Sequence, residues 1–227
     1  MKHTIEKKPR RPVDPALGER RREQILEAAA KLFAKHGYAA ADTQLLAEEL
    51  GVGKGTIYRY FPSKEEVFLA AADRGMHMLC EQVDSSIQGI DDPLHRIAVA
   101  IRSYLAFFAE HPEFVELLMQ ERAQFKDRKK PTFFVHREAR VEQWRTIYRR
   151  LIAEGRVREM PVERITNVMS DLVYGTMFTN YFTGQRKPFE SQAQDILDVV
   201  FHGILSDAER RQQRDEDTKT CPRSSED

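Results

Sequence analysis

The chain has 227 residues, of which 41% are hydrophobic, and 36 Lys and Arg balance 36 Asp and Glu, so there is material for one large domain or two small ones around a real core. No run of about 18 apolar residues occurs, so no membrane-spanning helix is expected. The basic stretch Met1 to Pro12 has no apolar segment behind it and is not expected to act as a secretory signal, and the two cysteines, Cys80 and Cys221, make no disulfide framework, so a reduced, cytoplasmic protein is the expectation.

In chain order, residues 1–18 set Lys7, Lys8, Arg10 and Arg11 among Pro9, Pro12, Pro15 and Gly18 and read as a flexible basic arm. A first helix is predicted from Glu19 to His36, where Ile25, Leu26, Ala29, Leu32 and Phe33 recur at helical spacing before Gly37 ends it. A short amphipathic helix, Thr43 to Leu50, is broken by Gly51 and Gly53, and about two turns of helix follow from Lys54. This third segment carries Lys54, Thr56, Tyr58, Arg59 and Tyr60 outward and holds itself by Ile57 and Phe61, four apart. Ser63 with Glu66 forms a capping box for a fourth helix running to about Ser85.

Beyond it the pattern stays helical. Leu94, Ile97, Ile101, Leu105 and Phe108 form one stripe ended near Pro112, and Phe114, Leu117 and Leu118 belong to a shorter helix. The basic break from Lys126 to Pro131 precedes a long helix through Val141, Trp144, Tyr148 and Leu151, stopped by Gly155. Residues 162–183 are apolar nearly all round and so require burial nearly all round. A last helix over about 189–206 leads into a polar tail. No strand-like alternation appears, so the predicted fold class is all-α. The predicted divisions are the arm at 1–18, a helix-turn-helix head at 19–66, a helical body at 67–206 and a disordered tail at 207–227.

The residues Ile25, Ala28, Ala29, Leu32, Phe33, Gly37-Tyr38, Leu46-Ala47, Leu50-Gly51-Val52, Lys54-Gly55-Thr56-Ile57-Tyr58, Tyr60-Phe61 and Ser63-Lys64-Glu65 carry a resemblance. Over residues ~20 to ~68 the chain resembles the TetR (tetracycline-repressor-like) family of bacterial regulators, with Ala41, Asp42 and Gly53 as local departures at helix-capping positions. The resemblance implies that Thr43, Tyr58, Tyr60 and Lys64 meet the DNA backbone, while Gln44, Lys54, Gly55, Thr56 and Arg59 lie in or near the groove. The chemistry agrees. Glycine lets the backbone approach closely, Gln pairs with adenine, and Lys or Arg with guanine. Residues 1–64 carry thirteen Lys and Arg against eight Asp and Glu, and the remainder is acidic by the same margin, as suits a DNA-binding head on a body that repels DNA. The basic arm is either a solvated tail or a minor-groove contact.

The resemblance further implies a ligand-binding, dimerising body. The pocket candidates are the aromatic and Met side chains Phe107, Phe108, Met119, Phe125, Trp144, Tyr148, Met169, Tyr174, Met177 and Phe178, each of which has plain core as its simpler role. As a group they suit an apolar or aromatic effector. The expected function is a ligand-responsive regulator, a repressor that binds a palindromic operator as a homodimer and is released by effector. It is not an enzyme, takes no cofactor and contacts no membrane. Three rivals differ in class. A nucleotide-binding enzyme fails because Gly51 to Thr56 lacks the phosphate-loop spacing and no strand precedes it. A metal-responsive regulator would use His77, Cys80 and Glu81, at i, i+3 and i+4 of one helix. A helical protein-interaction module with an inert head is the third.

Overall fold

The computed structural model describes residues 15–184 and 187–203; the expectations for the N-terminal arm up to residue 14 and for the tail from 207 lie outside these residues. Among the described residues there are nine α-helices and no strand: α1 Pro15–Ala40, α2 Thr43–Glu49, α3 Lys54–Tyr60, α4 Lys64–Ile87, α5 Pro93–Glu110, α6 Pro112–Gln124, α7 Thr132–Ala153, α8 Val162–Thr183 and α9 Phe189–His202. The fold is all-α, with the helix-turn-helix at its N-terminal end.

Local chemistry sets the breaks. Gly37 interrupts α1 with φ 76°, and α1 begins four residues before the predicted Glu19. Gly51, at φ 63°, closes α2 in a Schellman turn: its N–H donates to Glu48 O at 3.0 Å, and Val52 N–H to Ala47 O at 2.9 Å. Ser63 Oγ accepts from Glu66 N–H at 3.1 Å, and Glu65 and Glu66 place negative charge at the start of α4. Asp92 caps α5 by accepting from His95 N–H at 2.8 Å and also binds Arg156 at 2.6 Å, tying the turn after α7 to the start of α5. The start of α7 has no cap of its own. Instead the buried carboxylate of Glu121, from α6, accepts from the Thr132 backbone N–H at 2.9 Å, the Thr132 hydroxyl at 3.0 Å and the Arg128 guanidinium.

The core is in two parts. One runs from Ile25, Phe33, Leu46, Ile57 and Phe61 in the head through Phe68, Ala72 and Met76 of α4 to Phe107, Phe114 and Leu117. The other packs Ile97, Ile101 and Leu105 of α5 against Tyr148, Leu151, Ile165, Met169, Val173 and Leu197. A division at residues 66 and 67 thus falls in the first turn of α4, with continuous core on either side. Gly75 is where α4 meets α6: the Phe114 ring lies directly against it, in the space a Cβ would fill. The helix α8, apolar on most of its surface, is covered on one side only. Val168, Leu172 and Phe182 stay exposed, Phe182 at 67%.

Candidate DNA-binding head and effector cavity

The outer face of the motif is built by α2 and α3. Ile57 and Phe61 are buried, as their spacing required, which turns Gly55, Tyr58 and Arg59 outward; Gln44 is exposed on α2. Lys54, Thr56, Tyr60 and Lys64 are half-exposed. Thr43 is placed differently from the rest. It is 2% exposed, and its hydroxyl pairs with Tyr58 Oη at 3.1 Å, so it fastens α2 to α3 from inside. Asp42 acts as a joint for the two helices. Its Oδ1 accepts from Gln44 N–H at 3.0 Å, from Thr43 Oγ at 3.2 Å and from Lys54 Nζ at 3.2 Å. The Gln44 N–H bond first, and Lys54 second, hold its carboxyl below the usual aspartate range. Gln44 donates to Glu48 at 2.8 Å, Arg59 lies over the Tyr60 ring at 5.2 Å, and Lys64 lies over the Tyr38 ring at 4.6 Å and donates to Ala39 O at 3.3 Å. Several of the cations expected to meet DNA therefore already have protein partners that a phosphate or base edge would have to replace.

The body contains a cavity of about 200 Å³, partly open to solvent and lined by four helices. Met76, Leu79, Cys80 and Val83 come from α4; Ile97, Ala100, Ile101 and Tyr104 from α5; Phe133, His136, Arg137, Arg140, Val141, Trp144 and Tyr148 from α7; Thr166, Met169, Ser170 and Val173 from α8. Burial raises both phenols, Tyr104 well above its ordinary range, so they serve as neutral hydrogen-bonding groups. Burial likewise pushes the Cys80 thiol up, which leaves it protonated.

Of the ten pocket candidates, the structure gathers Trp144, Tyr148 and Met169 on this wall. The other seven lie off it. Met177 sits behind, its sulfur accepting from Tyr104 Oη at 3.7 Å. Phe107 is fully buried, stacked on Phe114 at 5.9 Å, and Phe108 packs on Phe107 and Tyr104. Phe125 belongs to the joint between head and body, against Tyr38 at 5.0 Å and Phe68 at 5.6 Å. Tyr174 packs on Phe133 at 4.5 Å near the basic loop before α7, Phe178 lies between Tyr174 and Phe182, and Met119 is half-buried on α6. Helical spacing marks a side chain as inward without saying which of two neighbouring interiors it faces. The small or polar wall residues Ala100, Ser170, Thr166 and Cys80 give little signal of a binding wall. The set that the metal-responsive rival would use, His77, Cys80 and Glu81, is not assembled: Cys80 faces the cavity, while His77 pairs with Asp73 and His136.

The head has the geometry of a DNA-binding helix-turn-helix: a buried hinge and a polar, aromatic outer face. Residues 25–71 match the sequence profile described as "Bacterial regulatory proteins, tetR family". Residues 25–71 thus form a TetR-type helix-turn-helix domain, and the relatives and solved structures that match more of the chain include TetR-type transcription regulators. The chain is 33% identical over 93 residues to the HTH-type transcriptional regulator HbdR of Aromatoleum sp. (strain CIB), a match covering 41% of each protein. It is 29% identical over 152 residues to the nucleoid occlusion factor SlmA of Vibrio campbellii, covering 63% of this chain and 74% of that one. The matches to HbdR, YerO and FasR span 41%, 57% and 47% of those proteins, well short of their full lengths. Among solved structures, the TetR family regulator PfmR from Thermus thermophilus superposes with a TM-score of 0.65 at 26% identity, over 80% of this chain and 99% of that one. FadR from Bacillus subtilis, in complex with stearoyl-CoA, does so with a TM-score of 0.67 at 20% identity, over 81% and 99%, a likeness of fold. No helix among the described residues is long and apolar enough to cross a membrane.

Proposed function

We propose that the chain is a ligand-responsive repressor that binds a two-fold symmetric DNA site as a homodimer and is released when a small apolar or aromatic effector enters the body cavity. The observation that carries this reading is the double role of α4. It starts just after α3 ends and supplies one wall of the cavity through Met76, Leu79, Cys80 and Val83. A cavity of about 200 Å³ accepts a ligand of roughly one ring; an engineered apolar cavity of ~150 Å³ binds benzene. A larger ligand either extends through the open side or pushes a wall outward, and moving α4 moves the head with it. Arg137 and Arg140 at the wall also suit an effector with an acidic end, so fatty acids belong among the compounds to be tried.

The partner for the exposed side of α8 is a second copy of the chain. Val168, Leu172, Gly175, Thr179 and Phe182 recur at spacings of four, three, four and three and are all exposed, forming a seam of coiled-coil type. Val199 extends the apolar surface onto α9 at 49% exposure. A self-complementary patch of this kind suits a two-fold dimer, which would hold the two heads ~34–36 Å apart for successive half-sites.

The cavity is tested by a fluorescence titration of Trp144, the single tryptophan, with aromatic and fatty acids. Ala100→Leu narrows the cavity and should weaken effector binding, while Phe178→Trp, off the wall, should leave it unchanged in a titration followed by calorimetry. Equal affinity in wild type and Ala100→Leu would place the effector elsewhere.

A further inference from the structure

We propose that Asp73, His77 and His136 form a binding site for a first-row divalent cation of the Zn²⁺, Ni²⁺ or Co²⁺ type, which fastens α4 to α7. Asp73 and His77 are four residues apart on one face of α4, and His136 lies in the second turn of α7 opposite them. Asp73 Oδ1 is 2.7 Å from His136 Nε2, and Asp73 Oδ2 is 3.4 Å from His77 Nε2. The two imidazoles meet edge to face with centroids 4.7 Å apart, and one ligand atom from each of the three residues lies within 4.8 Å of the others.

A Zn²⁺ ion held at roughly 2.0–2.2 Å by nitrogen and oxygen ligands needs them about 3–3.5 Å from one another. Asp73 already reaches both imidazoles, through Oδ1 to His136 and Oδ2 to His77, and small side-chain rotations bring one ligand atom of each residue onto a common ion. The adjustment falls to the side chains best able to make it, Asp73 at 51% and His77 at 65% exposure, while His136, at 14%, is held in place by its neighbours. Two imidazoles and one carboxylate favour a borderline cation over Ca²⁺ or Mg²⁺, which take oxygen ligands. The same set leaves coordination positions open to water on the solvent side. The nearby arginines do not compete for Asp73. Arg74 pairs with Glu23 at 2.6 Å, Arg137 with Asp171 at 3.6 Å, and Arg140 with Asp84.

The test uses the untagged full-length protein and Co²⁺ as the probe, followed by its visible absorption and then displaced with Zn²⁺. One Co²⁺ per chain should bind saturably. His77→Gln and His136→Gln should each weaken it by about tenfold or more, since even outer partners of metal ligands are worth ~10–100-fold. His202→Gln removes a separate exposed pair, His202 with Asp198 at 3.0 Å, and should change nothing. Zn²⁺ should raise the melting temperature of the wild type and not that of His77→Gln. His77 is exposed, so its replacement keeps the fold and the test does not hinge on His136→Gln being stable. Absence of saturable Co²⁺ binding, or wild-type affinity in His77→Gln, overturns the site.

Discussion

At the scale of single residues, two carboxylates hold joints that no periodic pattern announces. Glu121 is 1% exposed and supplies acceptors to the first turn of α7. Replacing it by Ala strands the Thr132 N–H and hydroxyl, and stranded buried groups cost ~1–3 kcal/mol each. Glu121→Ala should therefore lower stability to urea by at least about that amount, and a midpoint equal to wild type would mean the cap is idle. Asp42 joins α2 to α3 and lies on the face proposed to meet DNA. Asp42→Asn keeps an acceptor for Gln44 N–H but frees Lys54 and removes a repulsive charge. DNA affinity should rise for all sequences alike, as read by anisotropy across a salt series. Its folded pKa is depressed, so its contribution to stability is present above the unfolded value of ~3.9 and is lost as pH falls through the lower folded value. The difference in melting temperature between wild type and Asp42→Asn should thus shrink as pH is taken below about 4; a difference that grows on acidification would reverse the assigned sign.

At the scale of elements, α4 is the piece on which most depends. Gly75 lets Phe114 of α6 lie against its backbone. An Ala there gains ~1 kcal/mol of helix propensity and forces a fully packed ring aside at ~1–3 kcal/mol, so Gly75→Ala should be net destabilising in thermal unfolding. Stabilisation would show that Phe114 can move freely. The contrast with Gly51 shows what the chain made legible. Gly51, the Ser63–Glu66 cap and the Gly155 stop act within a few residues of themselves, so their patterns could be read directly, and the helix boundaries followed to within a few residues. Gly75, Glu121 and the cavity wall depend on partners 11 to 39 or more residues away in sequence. Ile57 and Phe61 could be assigned inward because a seven-residue helix has one interior to face. Phe125, Phe178 and Trp144 had several interiors to choose among, and only the packing of α4, α5, α7 and α8 separates the wall from the rest. Asp73 and His136 could not be paired from sequence because they are 63 residues apart.

At the scale of the whole molecule, the claims concern how copies and sites communicate. Leu172 stands mid-seam on α8 at 39% exposure. A charge there would be desolvated on association, so Leu172→Glu and Val199→Glu should shift the protein toward monomer in sedimentation, and a dimer unchanged by both would exclude this face. Val200, beside Val199 on α9, is half-buried against the second core and so reports on the fold as much as on association. The central claim is that occupation of the cavity and DNA binding by the head oppose one another through α4. An effector can loosen the complex only by preferring the DNA-incompetent arrangement, and reciprocity then binds the two affinities to one factor, about 5–150-fold for a coupling of ~1–3 kcal/mol. The deciding measurement is the Trp144 titration with an effector, run with and without a saturating DNA duplex selected by the protein from random sequence. The account requires DNA to weaken effector binding by the same factor by which effector weakens DNA binding; identical effector affinity in the two titrations would contradict it.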